Sequence, residues 1–181
     1  MRILLVGEFS GLHNNLKAGL IELGHDVVLA STGDGWKKFP SDINWLPTMF
    51  KGRLGYIEYL IKQFSLSVRL KNFDVVQFIS PCQTFERRFG LDKLFYNNLI
   101  RNNGKVYFIA AGGDPVIWQF WKDRIDSKVS NLVNQTNKYD LDKNFVKYLL
   151  SIREKENTLK LIEKANGLIP IMYEYAEPYR H

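Results

Sequence analysis

Five short apolar runs, Arg2–Val6, Val27–Ala30, Asp74–Ile79, Lys105–Ala110 and Gly167–Ile171, are spaced along the chain. The tightest interval between them, from Gly7 to Asp26, still holds 20 residues. Antiparallel strands can be joined by a two-residue turn, whereas parallel strands need a crossover of a dozen residues or more. The runs are apolar throughout rather than alternating, which asks for cover on both faces of a sheet. They predict an α/β chain with a doubly wound parallel sheet, its crossovers right-handed, forming a single three-layer domain over residues 1–181. Pro170 removes a ladder donor from the last run and predicts an edge position for it.

The intervals carry helical patterns. Leu16, Leu20 and Leu23 fall on one face before Gly24. From Lys51 to Lys71 the residues Leu54, Ile57, Leu60, Ile61, Phe64 and Val68 recur at helical spacing, with Lys51, Glu58, Lys62 and Arg69 opposite them. The apolar side is expected to cover the sheet with a basic side in water; the other reading of these cations is a helix resting on anionic lipid. Further helices are predicted over residues 85–102 and 141–164, then a short amphipathic piece from Tyr173 to Tyr179. The polar stretch from Asp123 to Lys143 reads as an exposed excursion.

Composition narrows the function classes. Hydrophobic residues make up 45% and charged residues 24%, ordinary globular usage. A lone cysteine, Cys82, offers neither a disulfide nor a set of metal thiolates, so no metal site is expected. The run after Arg2 is too short for a signal peptide, and no stretch approaches the roughly 20 apolar residues of a membrane span, so a cytoplasmic chain is expected. A formal charge of +6 suits phosphate-bearing ligands, an anionic membrane surface or a polyanionic acceptor, and nucleic acid is not expected among the partners.

In open sheets of this class ligands bind beyond the carboxyl ends of strands, where strand order reverses. The loops after strands one and four are the first places to look. The first holds Gly7, Glu8, Ser10, Gly11 and His13, and opens a helix whose amides suit an anion or a sugar hydroxyl; its glycines serve turn geometry equally well. Glu8 and His13 read as solvated loop residues, or as groups that orient an acceptor. The second holds Gly112, Gly113 and Asp114. The glycines allow close approach of a ligand to the backbone, and Asp114 is a candidate base or sugar-binding carboxylate, though Asp before Pro is also an ordinary turn starter. Trp118, Phe120 and Trp121, just beyond, suit sugar stacking, a membrane interface or core anchoring. The Gly-x-x-x-Gly spacing is not the dinucleotide fingerprint, and Ser31 and Thr32 stand where it wants an acid at the tip of strand two. No Gly-Lys-Ser/Thr follows as in a P-loop.

Leu20-Ile-Glu-Leu-Gly-His-Asp-Val27, coming directly after a strand, loop and helix, resembles the opening of GT-B glycosyltransferases, in particular the retaining group that builds bacterial polysaccharides and glycolipids. Lys164-Ala-Asn-Gly-Leu-Ile-Pro-Ile-Met-Tyr-Glu-Tyr175 is similar to the last strand and helix of that family's N-terminal domain. The resemblance implies two Rossmann-like domains facing across a cleft, of which residues 1–181 supply the acceptor side. The C-terminal domain that grips the nucleotide-sugar donor, with its pair of glutamates, is absent. It implies a glycan or glycolipid acceptor on the loops of Gly7, Glu8, Ser10, Gly11, His13, Gly112, Gly113 and Asp114, no cofactor in this domain, and no sugar transfer by residues 1–181 alone. The loops after Gly7, Ser80 and Gly112 are together expected to form one wall of the cleft. Ala111-Gly-Gly-Asp114 stands where many members carry a histidine. Two alternatives remain open: a stand-alone Rossmann-like module for an anionic small molecule or partner, and an NAD-binding epimerase or oxidoreductase domain.

Overall fold

The computed structural model describes residues 1–124 and 143–180. Its sheet is wholly parallel, with β1 (Arg2–Val6), β2 (Asp26–Ala30), β3 (Val75–Phe78), β4 (Lys105–Ala110) and β5 (Gly167–Pro170) in the order β2-β1-β3-β4-β5. Pro170 lies on the edge strand β5, where its missing N–H costs no ladder bond. Register places Leu5 between Leu29 and Gln77, with Tyr107 beyond Gln77 on β4.

Alternate strand residues sort into two cores. Ile3, Leu5, Val27 and Leu29 face Leu16 and Leu20 of α1 (Leu12–Glu22). Leu4, Val6, Val76, Phe78, Val106 and Phe108 face α2 (Gly52–Arg69), α3 (Leu91–Arg101) and, later in the chain, Leu161 and Ile162. The second core is aromatic: the rings of Phe78 and Phe108 stack at 5.0 Å, and Tyr96 and Phe85 meet Phe78 edge-on. Such pairs contribute about 0.5–1.5 kcal/mol each beyond the area they bury.

Beyond β4 come α4 (Pro115–Arg124), α5 (Lys143–Leu149), α6 (Ile152–Ile162) and, after β5, α7 (Tyr173–Ala176). The helix expected over residues 141–164 is therefore two helices. Ser151 ends the first and caps the second, its Oγ accepting the Glu154 N–H at 3.4 Å. Ser151-Ile-Arg-Glu154 carries the sequence mark of a capping box, a start signal inside a continuous helical pattern. Phe85 to Gly90 are likewise not helical in the α sense: the chain reaches α3 through a 3₁₀ turn at Arg88–Gly90, in which Phe89 has φ 59°. The excursion expected from Asp123 to Lys143 falls, apart from its ends, outside the described residues.

The orientation of α2 overturns the expected one. Leu54, Ile57, Ile61, Phe64 and Val68 face solvent, while Gly55, Gln63 and Ser67 are buried and Tyr59, Leu66 and Leu70 pack on the aromatic core. The inner face is held by specific bonds. Gln63 Oε1 accepts the Glu86 N–H at 3.0 Å, Ser67 Oγ accepts from Asn98 Nδ2 at 3.2 Å, and a Cβ on Gly55 would lie 2.6 Å from the Phe50 carbonyl oxygen. Hydrophobic spacing alone identifies such a helix without saying which of its two partly apolar faces meets the protein.

At the end of β1 the chain turns at Gly7, with φ 88° and space for a Cβ only 2.2 Å from Ile79 Cγ2. Both the conformation and the contact exclude a side chain. Gly7→Ala is expected to lower the unfolding free energy by about 2–4 kcal/mol in urea denaturation, with partial recovery when Ile79 is also cut to alanine. A loss under about 1 kcal/mol would show that β3 yields at this contact.

Candidate functional site

The crossover through α1 carries the chain from β1 to β2 on one side, and the later crossovers carry it the other way through β3, β4 and β5. Strand order therefore reverses between β1 and β3, which favours the loops after strands one and three, both expected in the cleft wall, over the loop after strand four. A cleft of about 150 Å³ opens there at the carboxyl ends of the strands. Gly7, Glu8 and Phe9 line it from the β1 loop, Thr32, Asp34, Gly35 and Trp45 from the segment after β2, and Ile79, Gln83 and Thr84 from the β3 loop.

Glu8, expected as a solvated loop residue or acceptor contact, is buried. Its carboxylate accepts the N–H of His13 at 3.2 Å and of Asn14 at 2.9 Å, and the Asn14 side-chain amide as well. These N–H groups are donors that an α-helix start leaves unpaired, and a negative charge there is favoured by the dipole. The anion seat at the head of α1 is thus filled from within the chain. His13 is also fully buried rather than solvated. Its Nδ1 donates to the Gly7 carbonyl at 2.7 Å, which leaves Nε2 to accept from Gln77 Nε2 at 3.3 Å. Burial lowers its pKa from 6.5 to about 4, against the opposing pull of the Gly7 carbonyl and Glu8, so the ring is neutral at pH 7.

Ser10 lies at the rim. Its N–H donates to Asp34 Oδ2 at 2.8 Å, and Lys37 Nζ bridges Ser10 Oγ and the same carboxylate oxygen at 2.7 and 2.9 Å. Burial raises the Asp34 carboxyl, but Lys37 and the Ser10 N–H outweigh it and hold the group below the usual range. Gly11 packs beneath Phe39.

The β3 loop is buried yet irregular, and side-chain bonds hold it in place. The Tyr96 hydroxyl donates to the Ser80 carbonyl at 3.0 Å and Thr84 Oγ1 to the same oxygen at 3.2 Å, while Phe85 sits in the aromatic core. Gln83 is thereby carried between the cleft and the β4 loop, where its Nε2 donates to the Gly113 carbonyl. Cys82 is buried behind it, its thiol pushed up to about 12 chiefly by desolvation, and so unsuited to nucleophilic work.

The β4 loop does not line the cleft. Gly112 is covered by the Tyr175 ring and Gly113 by Gln83. Asp114 is 1% exposed and caps α4, its Oδ1 accepting the N–H of Val116 and of Ile117 at 2.9 Å each. Its other oxygen lies beside the buried Tyr179 hydroxyl without reaching hydrogen-bond geometry. Burial raises its carboxyl, opposed by the helix amides. Phe120 is buried, and Trp121 Nε1 donates to the Glu174 carbonyl at 2.9 Å, tying α7 to α4.

Of the residues expected from sequence, the structure brings Gly7 and Glu8 into the cleft wall and Ser10 to its rim. Gly11, His13, Gly112, Gly113 and Asp114 stand behind it. Gln83 and Thr84 come from the loop after Ser80, expected in the cleft wall though neither residue is singled out by the sequence; Thr32, Asp34 and Trp45, from the segment after β2, are not among the expected site residues. The sequence signal for Thr32 and Asp34 is position, just past the end of β2; Trp45, further along, carries none.

The state of His13 has a pH consequence. Because the unfolded state binds the proton that the fold refuses, its contribution to stability is whole above pH 6.5 and is lost as pH falls toward 4. The loss is on the order of 3 kcal/mol. Urea denaturation across this window should show a smaller change for His13→Gln than for the wild type, and equal changes would place the titration elsewhere. Comparison with protein-family models, with curated proteins and with solved structures finds no match to this chain.

Proposed function

We propose that this chain is the acceptor-binding half of a GT-B type glycosyltransferase, its cleft taking a neutral sugar of a glycan or glycolipid while a C-terminal domain delivers the nucleotide-sugar. The observation that carries this reading is the Glu8 carboxylate on the His13 and Asn14 amides. A bound phosphate or the pyrophosphate of NAD would want those same amides and would meet a carboxylate in their place. A polyhydroxylated neutral ligand needs no such seat.

The rest of the lining supports the same chemistry. Asp34, Thr32, Gln83 and Thr84 are carboxylate, hydroxyl and amide groups that pair with sugar hydroxyls, and Phe9 and Trp45 supply apolar wall. The adjoining cation, Lys37, is committed to Asp34 and Ser10. A cavity of this volume takes a single six-membered ring. Catalysis by this half consists of holding the acceptor in line for attack on the donor; Asp114 serves the fold, and no base is assigned.

Amide chemical shifts test the proposal. A panel of neutral mono- and disaccharides should move the resonances of Phe9, Thr32, Gly35 and Gln83, with Asp34→Ala weakening the response roughly tenfold. Shifts at these amides with NAD or inorganic phosphate, and none with any saccharide, would overturn it.

A further inference from the structure

The five outward apolar residues of α2 follow one another at intervals of three, four, three and four residues, and each is between 46% and 62% exposed. This is a continuous stripe along a helix of 18 residues, about 27 Å at 1.5 Å per residue. Rolling it inward would strip Gln63 and Ser67 of the partners that hold the opposite face. The stripe is extended at its amino end by Leu46, Met49 and Phe50, which are 44%, 78% and 49% exposed. That loop is pinned to the helix. Glu58 accepts the N–H groups of Thr48, Met49 and Phe50 at 2.8–3.0 Å, and Lys62 Nζ donates to the Leu46 carbonyl at 2.8 Å. Large apolar side chains are thus held in water by a built clamp.

Charge selects what covers them. Between Leu46 and Lys71 the cations are Lys51, Arg53, Lys62, Arg69 and Lys71, and the sole acid is Glu58, already committed to the loop amides and to Lys62. Lys51 and Arg53 stand exposed at one end of the stripe, Arg69 and Lys71 at the other. A second copy laid on the stripe, parallel or antiparallel, would set cations against cations, a juxtaposition that costs association energy. A surface both apolar and anionic meets the whole face, with side chains in the acyl boundary and cations on the headgroups. No described helix is long and apolar enough to cross a membrane, so α2 would lie in the interface plane.

We propose that the outer face of α2, with the loop of residues 46–50, docks on an anionic lipid bilayer. This rests on the helix face alone and is independent of the sugar reading. Co-sedimentation with vesicles of phosphatidylcholine and phosphatidylglycerol tests it. The wild type should pellet with the anionic vesicles at low salt, release as salt rises, and stay in solution with phosphatidylcholine alone. The double variant Ile61→Ser, Phe64→Ser should lose binding while keeping the wild-type thermal unfolding, since both side chains are exposed. Arg53→Gln with Arg69→Gln should bind roughly thirtyfold more weakly. The proposal falls if the wild type ignores anionic vesicles, or if the serine variant binds as the wild type does. It falls equally if the wild type is a dimer in solution that the serine variant dissolves, which would assign the stripe to a second copy.

Discussion

The arrangement at the carboxyl edge of the sheet depends on one carboxylate. Glu8 takes the leading amides of α1, and the residues around it follow: His13, drawn to the same turn, donates to Gly7, and Gln77 of β3 closes the network from the neighbouring strand. A helix start in an α/β fold is ordinarily the place where phosphate lands, because its amides and dipole are unsatisfied. Here the chain satisfies them internally. What remains at the switch between β1 and β3 is a small cleft with hydrogen-bonding walls, which the proposed reading matches to hydroxyl groups rather than to a charged ligand.

That cleft is placed by the core below it. Phe85 joins Phe78, Phe95 and Tyr96 in edge-on contacts, and Tyr96 in turn bonds the Ser80 carbonyl, so the loop carrying Gln83 and Thr84 rests on rigid aromatic packing. An irregular buried segment is tolerable only when its polar groups find partners, and Tyr96, Thr84 and Gln83 supply them here. The site is accordingly a product of the sheet order, the aromatic core and the Glu8 network together.

Much of the fold was legible in the sequence because its signals are local. Long intervals between β-branched runs demand parallel strands, and Pro170 demands an edge. Where the reading failed, the deciding information was three-dimensional. The stripe on α2 was visible, but its direction depends on Gln63 meeting Glu86 and Gly55 meeting Phe50, contacts between segments that spacing cannot see. His13 and Glu8 looked like exposed loop residues because burial of a polar pair becomes acceptable only once the partners are known. Asp114, read as a candidate base or as a turn starter before Pro115, accepts the leading amides of α4. The loop after strand four was expected in the cleft beside those of strands one and three because strand order is not written in strand spacing, and it stands outside the lining. Only the break at Ser151 carries a local mark, the Ser-x-x-Glu pattern.

The most direct test of the central claim is to empty the anion seat. Thermal unfolding of the wild type and of Glu8→Ala should be compared with and without inorganic phosphate, chloride at matched ionic strength serving as control. The account predicts a destabilised variant that phosphate restores in part, as the anion takes the vacated amides of His13 and Asn14, and a wild type that phosphate affects no more than chloride does. A wild type stabilised by phosphate as strongly as the variant would mean that an anion site stands open in the native protein, and the neutral-ligand reading of the cleft would be wrong.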